Sequence, residues 1–166
     1  MEYKITNVKV SLKIEPISLD NVKECKKSMK KNFLVVREKY TYSIYKTSKT
    51  SNTNHINITG IPSLNKIEDS INNLHNFLDF KLLSSKIDNI IANFKLKNCI
   101  DLISICEKKK FPIIKYNSEL FPGAFVKFDK GSAILFHTGS VVVMGCKSEE
   151  DLKCLIKNIF AVIQEQ

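Results

Sequence analysis

Three short patterns recur in the same order in the two halves of this 166-residue chain, and this repeat limits the possible folds more than any other feature. The matching segments are Ile5–Val8 with Ile87–Ile90, Asn32–Phe33 with Leu120–Phe121, and Ile58–Gly60 with Val143–Gly145. The first and last pairs lie 82 and 85 positions apart, so the spacing is nearly constant. A repeat of this kind indicates that one structural unit occurs twice. We therefore predict two similar halves, residues 1–82 and 83–166, that together form one compact pseudo-symmetric unit.

Each half has the same predicted order of elements. Alternating apolar residues over 3–14 and a matching segment at 86–96 predict a strand at the start of each half, and further short strands follow. Short helices are predicted from Ser18 or Asp20 to Met29 and from Cys99 to Lys109, and longer amphipathic helices over about 63–78 and 149–163. The fold class is therefore α+β. We expect one continuous curved antiparallel sheet, with the two long helices on one face and the other face open.

The last two predicted strands, 132–136 and 141–144, are apolar on both faces. One face carries Ala133, Leu135, Val141 and Val143, and the other carries Ile134, Phe136, Val142 and Met144. One of these faces is needed to cover a core. The second is either buried by another layer or available to a partner, and the open face expected from the repeat favours a partner.

Composition restricts the class of protein and of partner. The net charge is +9, almost all of it from lysine, and Arg37 is the only arginine, so polyanions such as nucleic acids are favoured as partners. The five cysteines form no CxxC pair and no histidine lies near them at zinc-finger spacing, which is typical of an intracellular protein without a metal site. The chain has no apolar run of membrane-spanning length, and Met1–Asn7 has no apolar signal segment. No catalytic motif or phosphate-binding loop occurs, so we expect neither enzyme activity nor a cofactor.

The second half also carries motifs of a known family. Tyr116 to Gly123 reads Tyr-x-x-Glu-Leu-Phe-Pro-Gly, and Phe136-x-x-Gly139 is followed by Val-Val-x-x-Gly145. These motifs resemble the second repeat of the TATA-box-binding proteins, and the asparagine-bearing first strand of each half is similar as well. The resemblance is strong over residues 86–163, whereas over 3–80 it depends on the internal repeat. It implies a saddle-shaped sheet whose concave face binds the minor groove of DNA, with the two long helices on the convex face.

The resemblance implies roles for individual side chains. Asn7 and Asn89 would hydrogen-bond base edges, since A·T pairs offer only acceptors in the minor groove and an amide NH₂ can donate to them. The predicted wedges into base steps are Phe121 and Phe136, with Phe33 and Tyr45 as their first-half equivalents. The other predicted DNA contacts are Ile91, Ile134 and Val142 on the concave face, Lys39 and Lys127 at phosphates, and Thr59, for which an ordinary strand position is the alternative. Glu119 corresponds to the family's contact with transcription factor IIB. Periodicity alone would instead favour core positions for the two second-half phenylalanines.

The chain departs from the family pattern mainly in its first half. Lys9, Ser43 and Asn57 stand where the family has apolar concave residues. The other departures are Tyr45 for phenylalanine, Met144 for threonine and Ser140 for lysine. This divergence, with the abundance of lysine, asparagine and isoleucine, suggests the A·T-rich genome of a large DNA virus or of a fast-evolving eukaryote. The expected location is therefore the nucleus, or a cytoplasmic viral factory if the protein is viral.

The residues and the resemblance together predict a transcription initiation factor. It would bind A·T-rich promoter DNA in the minor groove, bend it, and recruit a factor-IIB-like protein and RNA polymerase. The alternative is an adaptor that keeps the saddle fold but assembles transcription subunits by protein contacts, without stable DNA binding of its own. A homodimer or heteromer that buries the open sheet face is a related hypothesis, and no membrane partner is expected.

Overall fold

The computed structural model of the chain describes residues 2–23, 25–46, 52–107 and 113–164. The first half comprises β1 (Lys4–Ile14), β2 (Lys27–Met29), β3 (Phe33–Arg37), β4 (Thr41–Tyr45), β5 (Asn54–Ile61) and α1 (Ile67–Leu74), with single 3-10 turns at Leu19–Asn21 and Leu64–Lys66. The second half comprises β6 (Leu82–Lys95), α2 (Leu102–Glu107), β7 (Ile113–Lys115), β8 (Gly123–Phe128), β9 (Gly131–Phe136), β10 (Ser140–Cys146) and α3 (Glu149–Gln164). Two compact units result: Asn7–Asp88, called here the first-half unit, and Met1–Thr6 with Asn89–Gln166, called the second-half unit.

The strand order is the same in both halves. It is β2-β3-β4-β5-β1 in the first and β7-β8-β9-β10-β6 in the second, and the paired strands are antiparallel. The predicted α+β class is therefore confirmed. The ladders also allow the halves to be compared residue by residue: Asn57 pairs with Ser43 in the first half, as Val142 pairs with Ile134 in the second. Residues at such matching ladder positions are called register-equivalent below.

In the second-half unit, the two apolar faces of the sheet have different surroundings. Ala133, Leu135, Val141 and Val143 are at most 1% exposed, and α3 packs on this side through its own buried residues Leu152, Leu155, Ile156 and Ile159. Each large aliphatic side chain buried there contributes about 1.5–3 kcal/mol. The opposite face, which carries Ile134, Phe136, Val142 and Met144, is only half-buried. Helix α3 therefore covers one apolar face, and the other remains open.

In the first-half unit, a buried tyrosine connects the sheet to helix α1. The Tyr42 hydroxyl donates to the Ser70 carbonyl oxygen at 2.8 Å and lies 2.9 Å from Asn73 Oδ1. Tyr42 is fully buried, and this burial raises the pKa of its hydroxyl well above the ordinary value, so the proton remains available for the hydrogen bond. Leu74 and Leu78 complete the buried contact on the helix side.

The prediction of a helix from Ser18 to Met29 is wrong. The Ser18 side chain accepts a hydrogen bond from the Asp20 N–H, as a capping residue should, but only one 3-10 turn follows. The Lys23 N–H donates to the Phe77 carbonyl oxygen at 2.9 Å, and β2 then pairs with β3. Pairing with neighbouring backbone therefore prevails over the local helix signal.

Helix α1 is shorter than the predicted segment over 63–78. It ends at Leu74, after which the N–H groups of His75 and Asn76 donate to carbonyl oxygens three residues earlier, as in a tightening last turn. Asparagine is a weak helix former, and positions 72, 73 and 76 are all asparagine. The segment predicted as a short helix over 99–109 contains the shorter helix α2 (Leu102–Glu107), and positions 108 and 109 lie outside the described residues. Asp101 Oδ1 caps α2 by accepting from the Ile103 and Ser104 N–H groups. No helix in the described ranges is long and apolar enough to cross a membrane.

Candidate nucleic-acid interface

An asparagine side chain binds a glycine backbone amide in each unit. Asn7 Oδ1 accepts a hydrogen bond from the Gly60 N–H at 2.9 Å, and Asn89 Oδ1 accepts one from the Gly145 N–H at 2.6 Å. The ladder register shifts beside both glycines. Gly60 and Gly145 have φ angles of +84° and +89°, in the left-handed region where a residue with a Cβ is strained. The sequence repeat around these residues therefore encodes the same local geometry twice.

These hydrogen bonds determine what the two asparagines can offer a ligand. Each amide oxygen is used by a glycine N–H, so the NH₂ group is the part that remains for another molecule. Among the described residues, neither amide nitrogen has a hydrogen-bond partner, and both side chains are half-buried. Asn7 and Asn89 are therefore oriented as donors, which suits the acceptor atoms of A·T pairs in the minor groove.

Phe121 and Phe136 form an edge-to-face ring pair above Gly123. Their ring centroids are 5.9 Å apart with an interplanar angle of 61°. Gly123 lies opposite Phe136 in the β8–β9 ladder, and a Cβ built on it would lie 2.8 Å from the Phe121 ring and 3.1 Å from the Phe136 ring. Phe121 is 48% exposed, so it is not a core residue. The absence of a side chain at Gly123 is what lets the two rings meet.

The first-half aromatic pair lies in a different register. Phe33 is directly opposite Tyr45, with ring centroids 5.1 Å apart and an interplanar angle of 32°. Tyr45 is register-equivalent to Phe136, but Phe33 is register-equivalent to Gly123. The predicted equivalence of Phe33 with Phe121 is therefore shifted by two residues along β3, although an aromatic pair is present in both units.

The same shift changes the candidate phosphate contacts. Lys127 is exposed and lies opposite Ser132 in the β8–β9 ladder. Its register-equivalent residue is Arg37, which lies opposite Thr41 and is also exposed, and not the predicted Lys39. The sequence repeat points to Lys39 and not to Arg37, because it matches Asn32–Phe33 with Leu120–Phe121. The ladders show that these two segments are out of register.

Lys39 instead contacts helix α1. Its Nζ donates to Asp69 Oδ2 at 2.8 Å, and the Tyr40 hydroxyl donates to the same carboxylate. These bonds, first from Lys39 and then from Tyr40, lower the pKa of Asp69, and the bond to Asp69 raises the pKa of Lys39. Lys39 is therefore occupied by an intramolecular ion pair, whereas no acidic partner of Arg37 or Lys127 occurs among the described residues.

Apolar side chains fill the centre of the open face in the second-half unit. Ile134 lies between Val142 on β10 and Phe125 on β8, and all three are half-buried. Ile91 is also half-buried and alternates along β6 with residues of the core. In the first-half unit, the predicted contact Thr59 is half-buried opposite Thr41. The structure therefore brings Ile134, Val142 and Phe136 together on one accessible surface.

The described residues offer little to catalytic or metal chemistry. They contain no group of three or more His, Cys, Asp or Glu side chains that could hold a metal ion. Cys146 is fully buried, and burial raises the pKa of its thiol to about 11, so it is not a reactive thiolate at neutral pH.

A family model described as "Transcription factor TFIID (or TATA-binding protein, TBP)" matches residues 84–166, half of the chain. The chain belongs to the TATA-binding protein family. Members of this family are transcription factors, which confirms the expectation that the chain is not an enzyme.

Individual TATA-box-binding proteins agree with this assignment. That of Pyrobaculum calidifontis is 36% identical over 84 residues, which cover 49% of this chain and 41% of the relative. That of Thermococcus kodakarensis is 32% identical over 93 residues, 53% of this chain and 46% of the relative. The matched part therefore spans less than half the length of these curated relatives. The solved structure of Methanococcus jannaschii TBP matches the whole of both chains with a TM-score of 0.85 at 28% identity, which confirms the predicted TBP-like fold.

The first-half unit of this TBP-family chain has a polar network on its open face. Lys9 Nζ and Lys86 Nζ each lie 3.4 Å from a carboxylate oxygen of Asp88. The Ser11 hydroxyl hydrogen-bonds Asp88, and its oxygen lies 2.9 Å from Asn57 Oδ1. Burial acts to raise the pKa of Asp88, but the hydrogen bonds from Ser11, Lys86 and Lys9 outweigh it and lower the pKa. Asp88 is therefore charged at neutral pH. The comparison with the family pattern indicates its neighbours Lys9 and Asn57 as departures but gives no signal for Asp88 itself.

Glu119 lies in an exposed turn of the second-half unit. Asn117 closes this turn: its Oδ1 accepts from the Glu119 N–H at 3.0 Å, and its carbonyl oxygen accepts from the Phe121 N–H at 3.0 Å. Leu120, beside Glu119, is 83% exposed. One turn therefore presents both Glu119 and Phe121, the first ring of the aromatic pair.

Proposed function

We propose that this chain is a transcription initiation factor that binds A·T-rich promoter DNA in the minor groove and bends it. The observation that carries the proposal is the half-exposed ring pair of Phe121 and Phe136, held above Gly123 beside an apolar strip. Asn89 adds an oriented NH₂ donor in the same unit, and Lys127 adds an exposed cation that has no acidic partner among the described residues. Apolar wedges with a few amide donors and basic residues suit a widened minor groove.

The bend would follow from insertion of the ring pair into a base step. Opening a step costs a few kcal/mol of stacking, which a protein recovers through the additional surface that bent DNA contacts. Phe121 is 48% exposed in the free chain, so covering the rest of its side chain contributes about 1 kcal/mol. The remainder would come from stacking of the rings on the exposed bases and from phosphate contacts of the basic residues.

A mobility-shift assay with circularly permuted A·T-rich duplexes tests this proposal, because it reports affinity and bend angle together. Phe121→Ala and Phe136→Ala should each reduce the bend and weaken binding by about 10-fold or more. Phe80→Ala is the matched control, since it removes a ring stacked on His75 in the first-half unit, and it should change neither quantity. Unchanged bend and affinity in the first two variants would rule out the wedge.

The exposed turn at Glu119 would bind a factor-IIB-like protein, which in turn recruits RNA polymerase. An exposed carboxylate beside an 83% exposed leucine offers such a partner both charge and apolar area. Glu119→Lys should abolish the complex of chain, DNA and factor without weakening the complex of chain and DNA. Glu107→Lys, which reverses an exposed charge on α2, is the control. If the three-component complex survives Glu119→Lys, the contact lies elsewhere.

The polar network of the first-half unit favours a second candidate function. Lys9, Ser11, Asn57 and Asp88 make that open face a poor apolar surface for a groove floor. An adaptor that assembles transcription subunits would show no binding to A·T-rich DNA at moderate salt, but a stable complex with a transcription subunit in a pull-down. Light scattering would detect a homodimer that buries the open face. Either function would operate inside the cell, in the nucleus or in a cytoplasmic viral factory.

A further inference from the structure

Three register-equivalent positions differ in polarity between the two open faces. The first-half unit has Ser43, Asn57 and Thr59, and the second-half unit has Ile134, Val142 and Met144. In each unit these positions are adjacent on two neighbouring strands, since Ser43 pairs with Asn57 and Ile134 pairs with Val142. All six side chains are half-buried and so accessible to a ligand on the face. The ligand therefore meets oxygen atoms in one unit where it meets methyl groups in the other.

A hydrogen bond from its NH₂ group holds Asn57, the central amide of the polar set, in place. Asn57 Oδ1 lies 2.9 Å from Ser11 Oγ, and Asn57 Nδ2 donates to the Tyr45 hydroxyl at 3.3 Å. Ser11 is itself bonded to Asp88, whose charge is balanced by Lys9 at 3.4 Å. An acceptor that is already fixed loses little conformational freedom when a ligand binds to it. The network therefore preorganises a polar surface.

One chemical group in the minor groove would interact differently with the polar and the apolar face. A·T pairs present only acceptors there, whereas a G·C pair adds the 2-amino donor of guanine. A buried donor without an acceptor costs about 1–3 kcal/mol, so an apolar face rejects guanine. Serine, threonine and asparagine oxygens can accept from the amino group and remove that cost.

We propose that the open face of the first-half unit accepts G·C pairs, with Ser43, Asn57 and Thr59 supplying acceptors for the guanine 2-amino group, while the second-half face requires A·T pairs. This inference rests on the proposed DNA-binding function and specifies its target. The preferred site then has an A·T-only block and a block that tolerates G·C, and this asymmetry defines the direction in which the protein lies on the promoter.

A base-pair scan tests the inference. Starting from an A·T-only duplex, each pair is replaced in turn by G·C and, in parallel, by inosine·C, which lacks the 2-amino group, and affinity is measured by fluorescence anisotropy. In one half of the site, guanine should weaken binding about 10- to 100-fold and inosine should restore it. In the other half, guanine should change affinity by less than about 3-fold, below the usual cost of a mismatched pair.

Exchanging register-equivalent residues assigns the two blocks. Asn57→Val gives the first-half face the residue of the second and should extend guanine sensitivity into the tolerant block. The reciprocal Val142→Asn should make the sensitive block tolerant. Asn158→Val, at an exposed position on α3, is the matched control and should leave the scan unchanged. Thermal melting checks folding, and the two reciprocal variants keep the test decisive if one of them is unstable.

The outcomes separate this inference from the proposed function. Equal guanine sensitivity in both blocks of the wild-type scan, or an unchanged scan in folded Asn57→Val and Val142→Asn, overturns the inference while DNA binding stands. Failure of the wild-type chain to bind any duplex overturns the proposed function and the inference with it.

Discussion

Replacing Gly123 by alanine should reduce the DNA bend strongly and the stability of the fold only moderately. A Cβ at this position would lie 2.6 Å from Ile134 Cγ2 and 2.8 Å from the Phe121 ring, both closer than real Cβ contacts allow. The backbone of Gly123 is not in the left-handed region, so the whole effect comes from crowding. To reach an ordinary contact of 3.4 Å, the Ile134 methyl group must move by about 0.8 Å, and the Phe121 ring must turn away from Phe136.

The expected loss of stability is moderate because part of the crowded environment can yield. Overpacking a closed core costs about 1–3 kcal/mol. Phe121 is 48% exposed and can move into solvent, so we place Gly123→Ala near the lower end, at about 1–2 kcal/mol. For a chain of this size that corresponds to a fall in Tm of about 2–8 °C, measurable by circular dichroism.

The effect of Gly123→Ala on DNA should be larger than its effect on folding. Once the rings are separated, the wedge is lost, and the bend angle in the permutation assay should approach that of Phe121→Ala. Ile134→Ala removes the nearest clashing methyl group, so the double variant should lose less stability than the sum of the two single changes. Wild-type Tm together with a wild-type bend in Gly123→Ala would refute the ring geometry.

Three further predictions concern the asparagine–glycine pairs and the α1 ion pair. Gly60→Ala and Gly145→Ala should each lose about 1–2 kcal/mol from their positive φ angles. Gly145→Ala should lower the free energy of unfolding more than Gly60→Ala does. The new Cβ at Gly145 would lie 3.3 Å from the first residue of β9, whereas a Cβ at Gly60 meets no described atom within 4 Å. Equal losses of unfolding free energy in urea would contradict this. Asn89→Asp retains an oxygen for the Gly145 N–H but loses the NH₂ donor, so DNA affinity should fall at least about 10-fold while Tm changes little, and wild-type affinity would exclude a donor role. Because the pKa of Asp69 is lowered in the folded state, its bond to Lys39 stabilises the fold when the pH is above 3.8, the ordinary pKa of the carboxyl group. This stabilisation is lost as the pH falls through the pKa of folded Asp69, so the Tm difference between wild type and Asp69→Asn should vanish in acid. A Tm difference that stays constant with pH would refute this linkage.

The strands could be predicted because their side chains alternate in burial. The segment predicted over 141–144 is the centre of β10, and that over 132–136 is nearly the whole of β9. The segment after Ser18 could not be predicted in the same way, because a capping residue shows where a helix can begin but not how far it continues. Its continuation depends on the Lys23 contact with Phe77 and on β2 pairing, both of which join residues distant in sequence.

The positions of the candidate site residues could be predicted where the sequence motif and the strand register give the same alignment of the two halves. Phe121 and Phe136 form a ring pair, and Asn89 accepts from the Gly145 N–H, while the DNA contacts of all three stay predictions. In β3 the prediction slipped by two residues, and a slip of two keeps every side chain on its original face, so the hydrophobic pattern cannot reveal it. Only the ladder shows that Arg37, and not Lys39, is register-equivalent to Lys127.

The different lengths of helices α1 and α3 have a consequence for local stability. Helix α1 has 8 residues and α3 has 16, and a helix as short as α1 persists only through its tertiary contacts, chiefly the Tyr42 hydroxyl and Leu74. We expect amide hydrogen exchange over 67–74 to occur through local opening at a lower free energy than exchange over 152–159, where four buried apolar residues must separate from the sheet. The first half would then adjust its shape to a ligand while the second half stays rigid. A ligand that binds to the polar face would thus contact the more adaptable half of the molecule.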